Sequence, residues 1–284
     1  MKPKTISIIG GTGMMGTTFA RLFKKDKYKV ILATHRTKIT PIEAAKQGDI
    51  VIITVPIDKT LKVIKQVAPF VKKTALLTDF TSIKVAPVKA MLKYSKAEVI
   101  GGHPVFGPTK SIEKQNYVIC PARGKSYISW YKRFLKKHGA NIIITTPDKH
   151  DKEMAVIQCL RHFSTIALGI SLKDLKFNLK SSKKYYSPIY QIRMEMLGRL
   201  FDEDAELYAD ILTLNPYSKI VLNRYLKSTK LLYNDVKFKK RNKIAKKFKD
   251  TSKFLGEKFN KQSMENTNYL IKQMVKLNKK KKNK

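Results

Sequence analysis

Acidic residues are scarce in this sequence. It has 21 Asp and Glu against 59 Lys and Arg, which gives its 284 residues a formal net charge of +38. This imbalance leaves two interpretations, a protein that binds nucleic acid or another anionic surface, or an enzyme with a lysine-rich surface that acts on anions. The lysines are spread along the whole chain, with one dense run at residues 279–282. Because spread lysine is typical of a solvated surface, nucleic acid is the less favoured partner.

Cysteine is nearly absent. Cys120 and Cys159 are the only two, and both lie among apolar neighbours. Two isolated thiols exclude a disulfide framework and provide no zinc-ligand cluster, so no metal site is predicted. They indicate buried thiols in a reducing compartment.

Long apolar runs are also missing. The first residues, MKPKTISIIGG, contain too short an apolar segment for a signal peptide, and no apolar stretch has the length of a membrane span. The hydrophobic fraction of 43% is nevertheless sufficient for a packed core, which excludes general disorder. We therefore expect a cytoplasmic protein without a membrane-spanning segment.

A glycine-rich turn organises the first part of the chain. The apolar residues 6–9 enter GTGMMG, and helical periodicity follows from residue 17. This order of strand, glycine turn and helix is typical of a dinucleotide site, in which backbone N–H groups and the helix dipole hold the phosphates. A plain glycine turn is the less favoured alternative. The predicted cofactor contacts are Gly11, Thr12, Gly13, Met14, Met15 and Gly16.

Short apolar strands then alternate with helical segments. Strands are predicted at residues 28–33, 49–55, 75–79, 98–101, 117–120 and 142–145. This alternation predicts an α/β fold with a mostly parallel, doubly wound Rossmann sheet. From Thr146-Pro147 onward only helical periodicity remains. The predicted domains are a Rossmann domain at residues 1–146, a helical substrate and dimerisation domain at 147–277, and a disordered basic tail at 278–284.

The segment after the second strand bears on the choice between NAD and NADP. NAD sites usually place Asp or Glu there to bind the ribose hydroxyls. This chain has Thr34, His35 and Arg36 instead. A carboxylate would repel a 2′-phosphate, whereas Thr34 and Arg36 can bind one, so NADP is favoured over NAD. The alternative is that Arg36 is a solvated loop residue.

Two segments place reactive side chains at the carboxyl ends of strands, where open α/β sheets bind ligands. DFTSIK brings Ser82 and Lys84 to this edge, although Thr81 or Ser82 could equally cap the following helix. GGHPVFGP holds His103 in a loop made rigid by prolines. A histidine there is suited to accept a proton, since its ordinary pKa lies near neutrality.

Polar residues form one stripe of the long helix predicted from residue 147. Asp151, Ala155, Gln158 and His162 follow helical spacing among apolar neighbours. The stripe indicates a site or a buried hydrogen-bond network. Further along, Arg199 is either a partner of Glu195 or a clamp for a carboxylate.

Taken together, these segments resemble the prephenate dehydrogenase family. The resemblance extends to about residue 235 and is carried by GGTGMMG, VPI, DFTSIK, GGHPVFGP, HDKEMAVIQCLRHF, SPIYQIRMEMLGRLF and DAELYADIL. It is strongest to the dehydrogenase part of bacterial chorismate mutase–prephenate dehydrogenase fusions, and no mutase segment is expected before residue 5. The chain departs from the family pattern in two ways. Gln191 stands where similar sequences have arginine, and the strongly basic composition is not a family feature.

The resemblance implies oxidative decarboxylation of prephenate to 4-hydroxyphenylpyruvate, a step toward tyrosine, with hydride transfer to NAD(P) and a homodimer. It implies that His103 is the base, that Ser82 helps to hold the hydroxyl, and that Arg199 binds a substrate carboxylate. Asp151 and His162 are implied to line or order the pocket, with Lys84 and Gln158 as further substrate contacts, and Val55 and Pro56 as cofactor contacts. Arogenate dehydrogenase is the nearest alternative. A basic nucleic-acid-binding protein on a dehydrogenase fold is the alternative from another class.

Overall fold

A computed structural model describes residues 3–282 of the chain. Its first part contains one seven-stranded sheet in the order β2-β1-β3-β4-β5-β6-β7. Every neighbouring pair is parallel except β5 and β6, which are antiparallel. The mostly parallel sheet of the sequence prediction is therefore confirmed. The strands are β1 (Thr5–Ile9), β2 (Lys29–Ala33), β3 (Ile50–Ile53), β4 (Leu76–Asp79), β5 (Glu98–Pro104), β6 (Asn116–Arg123) and β7 (Asn141–Ile144).

Helices cover both faces of this sheet, as its buried strands require. All four residues of β3 and of β4 are buried, and two apolar clusters form on either side of them. One cluster centres on the stacked rings of Phe23 and Phe134, whose centroids lie 4.4 Å apart. The helices are α1 (Met14–Lys25), α2 (Pro41–Gln47), α3 (Ile57–Val67), α4 (Val85–Tyr94), α5 (Ile128–Lys137) and α6 (Pro147–Met154), with a 3-10 turn at Ala68–Phe70.

From residue 147 onward the chain is helical. A π-helical segment, Ala155–Leu160, directly follows α6 and leads into α7 (Arg161–Asp174). The remaining helices are α8 (Leu179–Ser182), α9 (Pro188–Phe201), α10 (Ala205–Leu214), α11 (Ser218–Lys237), α12 (Arg241–Leu255) and α13 (Glu257–Lys282), with a 3-10 turn at Lys183–Tyr185. Helix α9 packs against α7 and α13, and α12 packs against α13.

The contacts within the chain define two compact units, and their boundaries differ from the predicted domain boundary at residue 146. The first unit runs to Cys159 and also includes Glu206–Ser218, whereas the second contains Leu160–Ala205 and the chain from Lys219 onward. Residue 146 is instead the N-cap of α6, where the Thr146 hydroxyl accepts from the Lys149 N–H at 3.2 Å.

The basic tail differs from its prediction. Residues 278–282 continue α13, where the sequence predicted a disordered tail. Lysine has a good helix propensity, which favours continuation of the helix. Residues 283 and 284 of the predicted tail lie outside the described residues.

One continuous helical stretch bears on the expectation about membrane-length segments. Among the described residues, Pro147–Asp174 is long and apolar enough to cross a membrane by length and composition alone. Its most apolar window has a mean hydropathy of 1.3 and is 17% buried. Polar residues interrupt this stretch, so it has no unbroken apolar run of membrane length, but the average over the window stays high. The core helix of a soluble protein passes the same test, so the finding is weak evidence for a membrane.

Candidate active site

The carboxyl ends of β1 to β5 converge on one edge of the sheet. Along the chain, β1 leads to β2 on one side, whereas β3 and β4 extend the sheet on the other side. This reversal beside β1 is the point at which open α/β sheets bind ligands. The glycine turn follows β1, the Thr34 loop follows β2, and Val55 and Pro56 follow β3. Ser82 and Lys84 follow β4, and His103 is the penultimate residue of β5.

The glycine turn has the backbone that a dinucleotide requires. A Cβ on Gly16 would lie 2.7 Å from the Gly11 Cα, so these glycines let α1 approach the turn closely. A Cβ on Gly13 would meet only the Gly10 carbonyl oxygen, at 3.3 Å, which leaves that side open to a ligand. Gly13 is also the N-cap of α1, without a side-chain cap and with no acid in the first turn. These features fit a pyrophosphate held by backbone N–H groups.

Gly10 also shapes this turn, although the sequence analysis did not include it. Its φ is +84°, and a Cβ there would lie 2.5 Å from the Thr54 carbonyl oxygen and 2.9 Å from the Val55 Cγ1. Only glycine fits this combination of backbone and contact. Val55 is thus beside the turn, and exposed Pro56 is the N-cap of α3. The doubled glycine before Thr12 was the available signal.

The loop after β2 is shaped by its own hydroxyl groups. The Thr37 hydroxyl accepts from the Thr34 N–H at 2.8 Å, and the Thr34 hydroxyl accepts from the Arg36 N–H at 3.1 Å. The Arg36 Nε donates to His35 Nε2 at 3.1 Å, and both side chains are exposed. The loop therefore presents a cationic side chain without an acid.

Lys84 has a different environment from that expected of a substrate contact. The whole side chain is buried and forms an ion pair with Asp79 at the end of β4. The Lys84 Nζ also donates to the Gly102 carbonyl oxygen at 2.7 Å, and the Thr81 hydroxyl donates to Asp79. Lys84 thus joins the ends of β4 and β5. Asp79 pairs with Lys84 and accepts from Thr81, and neither Asp79 nor Thr81 was among the predicted site residues.

His103 lies in a strand, which corrects the loop prediction. The antiparallel pairing with β6 continues through His103 opposite Val118 and Pro104 opposite Tyr117, so β5 extends three residues further than the apolar run. The imidazole is 2% exposed. Its Nδ1 lies 2.8 Å from Nε2 of His150, a residue that the sequence analysis missed. The only signal was that His150 directly precedes Asp151.

Asp151 connects this histidine pair to α4. Its Oδ1 accepts from His150 Nδ1 and from the Lys84 N–H, each at 2.7 Å, and its Oδ2 accepts from the Val85 N–H at 2.9 Å. The carboxylate therefore caps α4. The sequence had offered Thr81 or Ser82 as candidates for this cap. Ser82 itself is half-buried in the loop between β4 and α4. Asp151 is fully buried and orders this region through its hydrogen bonds.

Burial keeps the histidines neutral. Loss of solvation, followed by the neighbouring His150 and Lys84, lowers the pKa of His103 well below its ordinary value of 6.5. Burial also lowers the pKa of His150, against the opposing effect of its hydrogen bond to Asp151. At neutral pH both rings are therefore neutral imidazoles, each with one N–H.

The predicted stripe of α6 and α7 changes course in the π-helical segment. Asp151, Ala155, Cys159 and His162 are buried, whereas Gln158 is only half-buried. In a π turn each hydrogen bond joins residues i and i+5, so the turn contains one extra residue. The buried face therefore shifts by one position, and Cys159 occupies the place where Gln158 was expected. Burial and the adjacent Arg161 lower the pKa of His162 to about 4.

Arg199 is an exposed cation on α9. Its side chain is 83% exposed and its Nε lies 3.5 Å from the Glu203 Oε1, one helical turn ahead. The local partner is therefore Glu203, where the sequence alternative was Glu195. Gln191 exchanges two amide hydrogen bonds with Asn278 of α13, at 2.8 and 3.2 Å.

Comparison with known proteins gives one consistent family. Residues 24–144 match the model of the nucleotide-binding domain of prephenate dehydrogenase, and residues 146–250 match the model of the prephenate dehydrogenase dimerization domain. The chain is 40% identical over 272 residues to a probable arogenate/prephenate dehydrogenase of Methanocaldococcus jannaschii, covering 89% of this chain and 61% of that protein. It is 38% identical over 208 residues to the T-protein of Haemophilus influenzae, covering 73% of this chain and 55% of that protein. The chain thus spans somewhat more than half the length of these relatives.

The fold also matches solved structures. Prephenate dehydrogenase from A. aeolicus, in complex with hydroxyphenyl propionate and NAD+, superposes with a TM-score of 0.70 at 17% identity. The match covers 93% of this chain and 99% of that one. This likeness supports the Rossmann domain followed by helices.

Proposed function

Because the chain belongs to the prephenate dehydrogenase family, we propose that it oxidises and decarboxylates prephenate to 4-hydroxyphenylpyruvate. The observation that carries the proposal is His103, a buried neutral imidazole at the carboxyl end of β5, on the same sheet edge as the glycine turn. A neutral imidazole is a competent proton acceptor, and a dinucleotide on that edge is a competent hydride acceptor.

In the proposed mechanism, His103 takes the proton of the ring hydroxyl. Bound NAD(P)+ supplies the hydride acceptor, and the hydride leaves the ring carbon that carries this hydroxyl. The ring then loses CO2 and becomes aromatic, and the phenol oxygen regains a proton, which His103 returns. Ser82 is the proposed hydrogen-bond partner of the hydroxyl, and Arg199 the clamp for a carboxylate. His162 and Gln158 are proposed further substrate contacts, with Asp151 and Lys84 ordering the strand ends.

The proposal is tested by product stoichiometry. Purified protein with prephenate and NADP+ is expected to form 4-hydroxyphenylpyruvate, CO2 and reduced nicotinamide in equal amounts. Arogenate offered in parallel distinguishes the arogenate dehydrogenase alternative, which the name of the M. jannaschii relative supports. Reduced nicotinamide with arogenate alone would reassign the substrate, and none with either substrate would overturn the proposal.

The proposed cofactor preference is NADP over NAD. It is supported by the exposed Arg36 and by the absence of an acid at Thr34, His35 and Arg36. Arg36→Gln is expected to raise KM for NADP+ and to leave KM for NAD+ unchanged, because only NADP+ has the 2′-phosphate that a guanidinium would bind. Equal effects on both cofactors, or a wild-type preference for NAD+, would contradict the assignment.

The proposed assembly is a cytoplasmic homodimer. It is supported by the match of residues 146–250 to a dimerization domain and by apolar side chains exposed on the helices, such as Ile157, Ile170 and Met196. Analytical ultracentrifugation is expected to give twice the chain mass. A monomer at micromolar concentration would contradict this proposal.

A further inference from the structure

His150 has no role in the mechanism above, yet it is the hydrogen-bond partner of the proposed base. Its Nε2 lies 2.8 Å from His103 Nδ1, and its own Nδ1 lies 2.7 Å from the Asp151 Oδ1. Both imidazoles and the carboxylate are buried. The three side chains thus form one chain of hydrogen bonds that ends at the backbone N–H groups of Lys84 and Val85.

The direction of this chain follows from what each group can donate. Both Asp151 oxygens accept backbone N–H groups, so the carboxylate is the acceptor in this chain and His150 Nδ1 carries the N–H that donates to Oδ1. A neutral imidazole has one N–H, and His150 Nε2 is then an acceptor. His103 Nδ1 must therefore donate to it, which leaves His103 Nε2 with a free lone pair.

We propose that His150, held by Asp151, is a positioning residue that fixes His103 in the tautomer whose Nε2 is the base. The proposal rests on the proposed function, in which His103 accepts the hydroxyl proton. The same chain stabilises the imidazolium that forms, because His150 Nε2 faces the Nδ1–H of the charged ring and Asp151 supplies a negative charge behind it.

The surrounding charges explain why such support is needed. Lys84 lies close enough to lower the pKa of both histidines. Its partner Asp79 compensates part of this charge, and burial removes the water that would otherwise solvate an imidazolium. Among the described residues, His150 is the hydrogen-bond partner of the His103 ring nitrogen, and Asp151 in turn holds His150.

Two variants separate the tautomer role from mere packing. His150→Phe fills a similar volume but removes the acceptor, whereas His150→Gln retains an acceptor for His103 and a donor for Asp151. We expect His150→Phe to lower kcat by about 10²-fold with little change in KM, as for a misaligned catalytic group. His150→Gln is expected to recover most of this loss. His138→Phe is the matched control, because it removes a histidine contact to Asp26 elsewhere in the fold.

The readout that does not depend on turnover is the tautomer itself. Nitrogen-15 correlation spectra of the imidazoles in the unliganded protein are expected to show His103 protonated at Nδ1 in the wild type and in His150→Gln. In His150→Phe this preference is expected to be lost. A wild-type His103 protonated at Nε2, or equal kcat losses in the Phe and Gln variants of a folded protein, would overturn the proposal.

The two proposals fail in different ways. If the wild type does not turn over prephenate or arogenate while His103 carries its proton on Nδ1, the enzyme function fails and the hydrogen-bond chain stands. If the wild type is active and His150→Phe keeps its kcat, the positioning role fails and the enzyme function stands.

Discussion

At the residue scale, the buried ion pair of Lys84 and Asp79 has the largest expected effect on stability. Both side chains are fully buried, and one Asp79 oxygen, Oδ1, has no hydrogen-bond partner in the part of the chain that the structure describes. Removing the ammonium with Lys84→Met would leave a buried carboxylate without its cation. Such a change is expected to cost about 3–5 kcal/mol in the free energy of unfolding.

Urea denaturation measures this loss directly. The double variant Lys84→Met with Asp79→Asn is the control, and it is expected to recover part of the stability because no unpaired charge remains. If Lys84→Met instead retained wild-type stability and raised KM for prephenate, Lys84 would be a substrate contact, as the sequence pattern suggests.

His162 makes stability depend on pH. Its pKa of about 4 in the folded chain lies below the ordinary 6.5, so the unfolded state binds the proton first as the pH falls. The contribution of His162 is therefore fully present above pH 6.5 and is lost progressively between pH 6.5 and about 4. His162→Gln is expected to show a flatter decline of the unfolding free energy across this range. Parallel declines in the two proteins would contradict the assignment.

At the scale of elements, the contact of α1 with the glycine turn is expected to control cofactor binding. Gly16→Ala would bring a methyl group within 2.7 Å of the Gly11 backbone, which can move only if the turn moves. We expect it to lower stability by about 1–3 kcal/mol, as overpacking does, and to weaken NADP+ binding in calorimetric titration.

Gly198→Ala is the matched control for this substitution. A Cβ on Gly198, within α9, would meet no atom within 4 Å. Alanine is expected to stabilise that helix by about 0.5–1 kcal/mol and to leave NADP+ affinity unchanged. Wild-type NADP+ affinity in Gly16→Ala would remove the glycine turn from the cofactor site.

The elements also show which features the sequence could predict. Apolar runs and glycine spacing identified the strands and the turn after β1, because these depend on local pattern. The extension of β5 through His103 depends on pairing with β6, and the place of Cys159 depends on a π turn. Neither is encoded in local periodicity. His150 was missed because its role comes from its contact with His103, which lies 47 positions earlier in the chain.

At the scale of the whole molecule, the net charge of +38 is expected to act on association. A positively charged protein attracts a dianionic substrate and NADP+ at long range. Salt screens this attraction, and the screening length is about 10 Å at 0.1 M ionic strength. We expect kcat/KM for prephenate to fall as NaCl is added, while kcat stays constant. A kcat/KM that does not change with salt would contradict steering by the charge.

The same charge provides the test of the nucleic-acid alternative. Binding to RNA that is tight and steeply salt-dependent, in a protein without dehydrogenase activity, would favour that alternative. Weak RNA binding in an active enzyme is the expected result, because the lysines are spread along the chain.

The most direct test of the central claim is the rate of nicotinamide reduction by the wild type and by His103→Asn, with prephenate and NADP+. If His103 is the base, the wild type turns over and the variant keeps its KM values while kcat falls by about 10²–10⁴-fold. A folded His103→Asn protein with the kcat of the wild type would contradict the account.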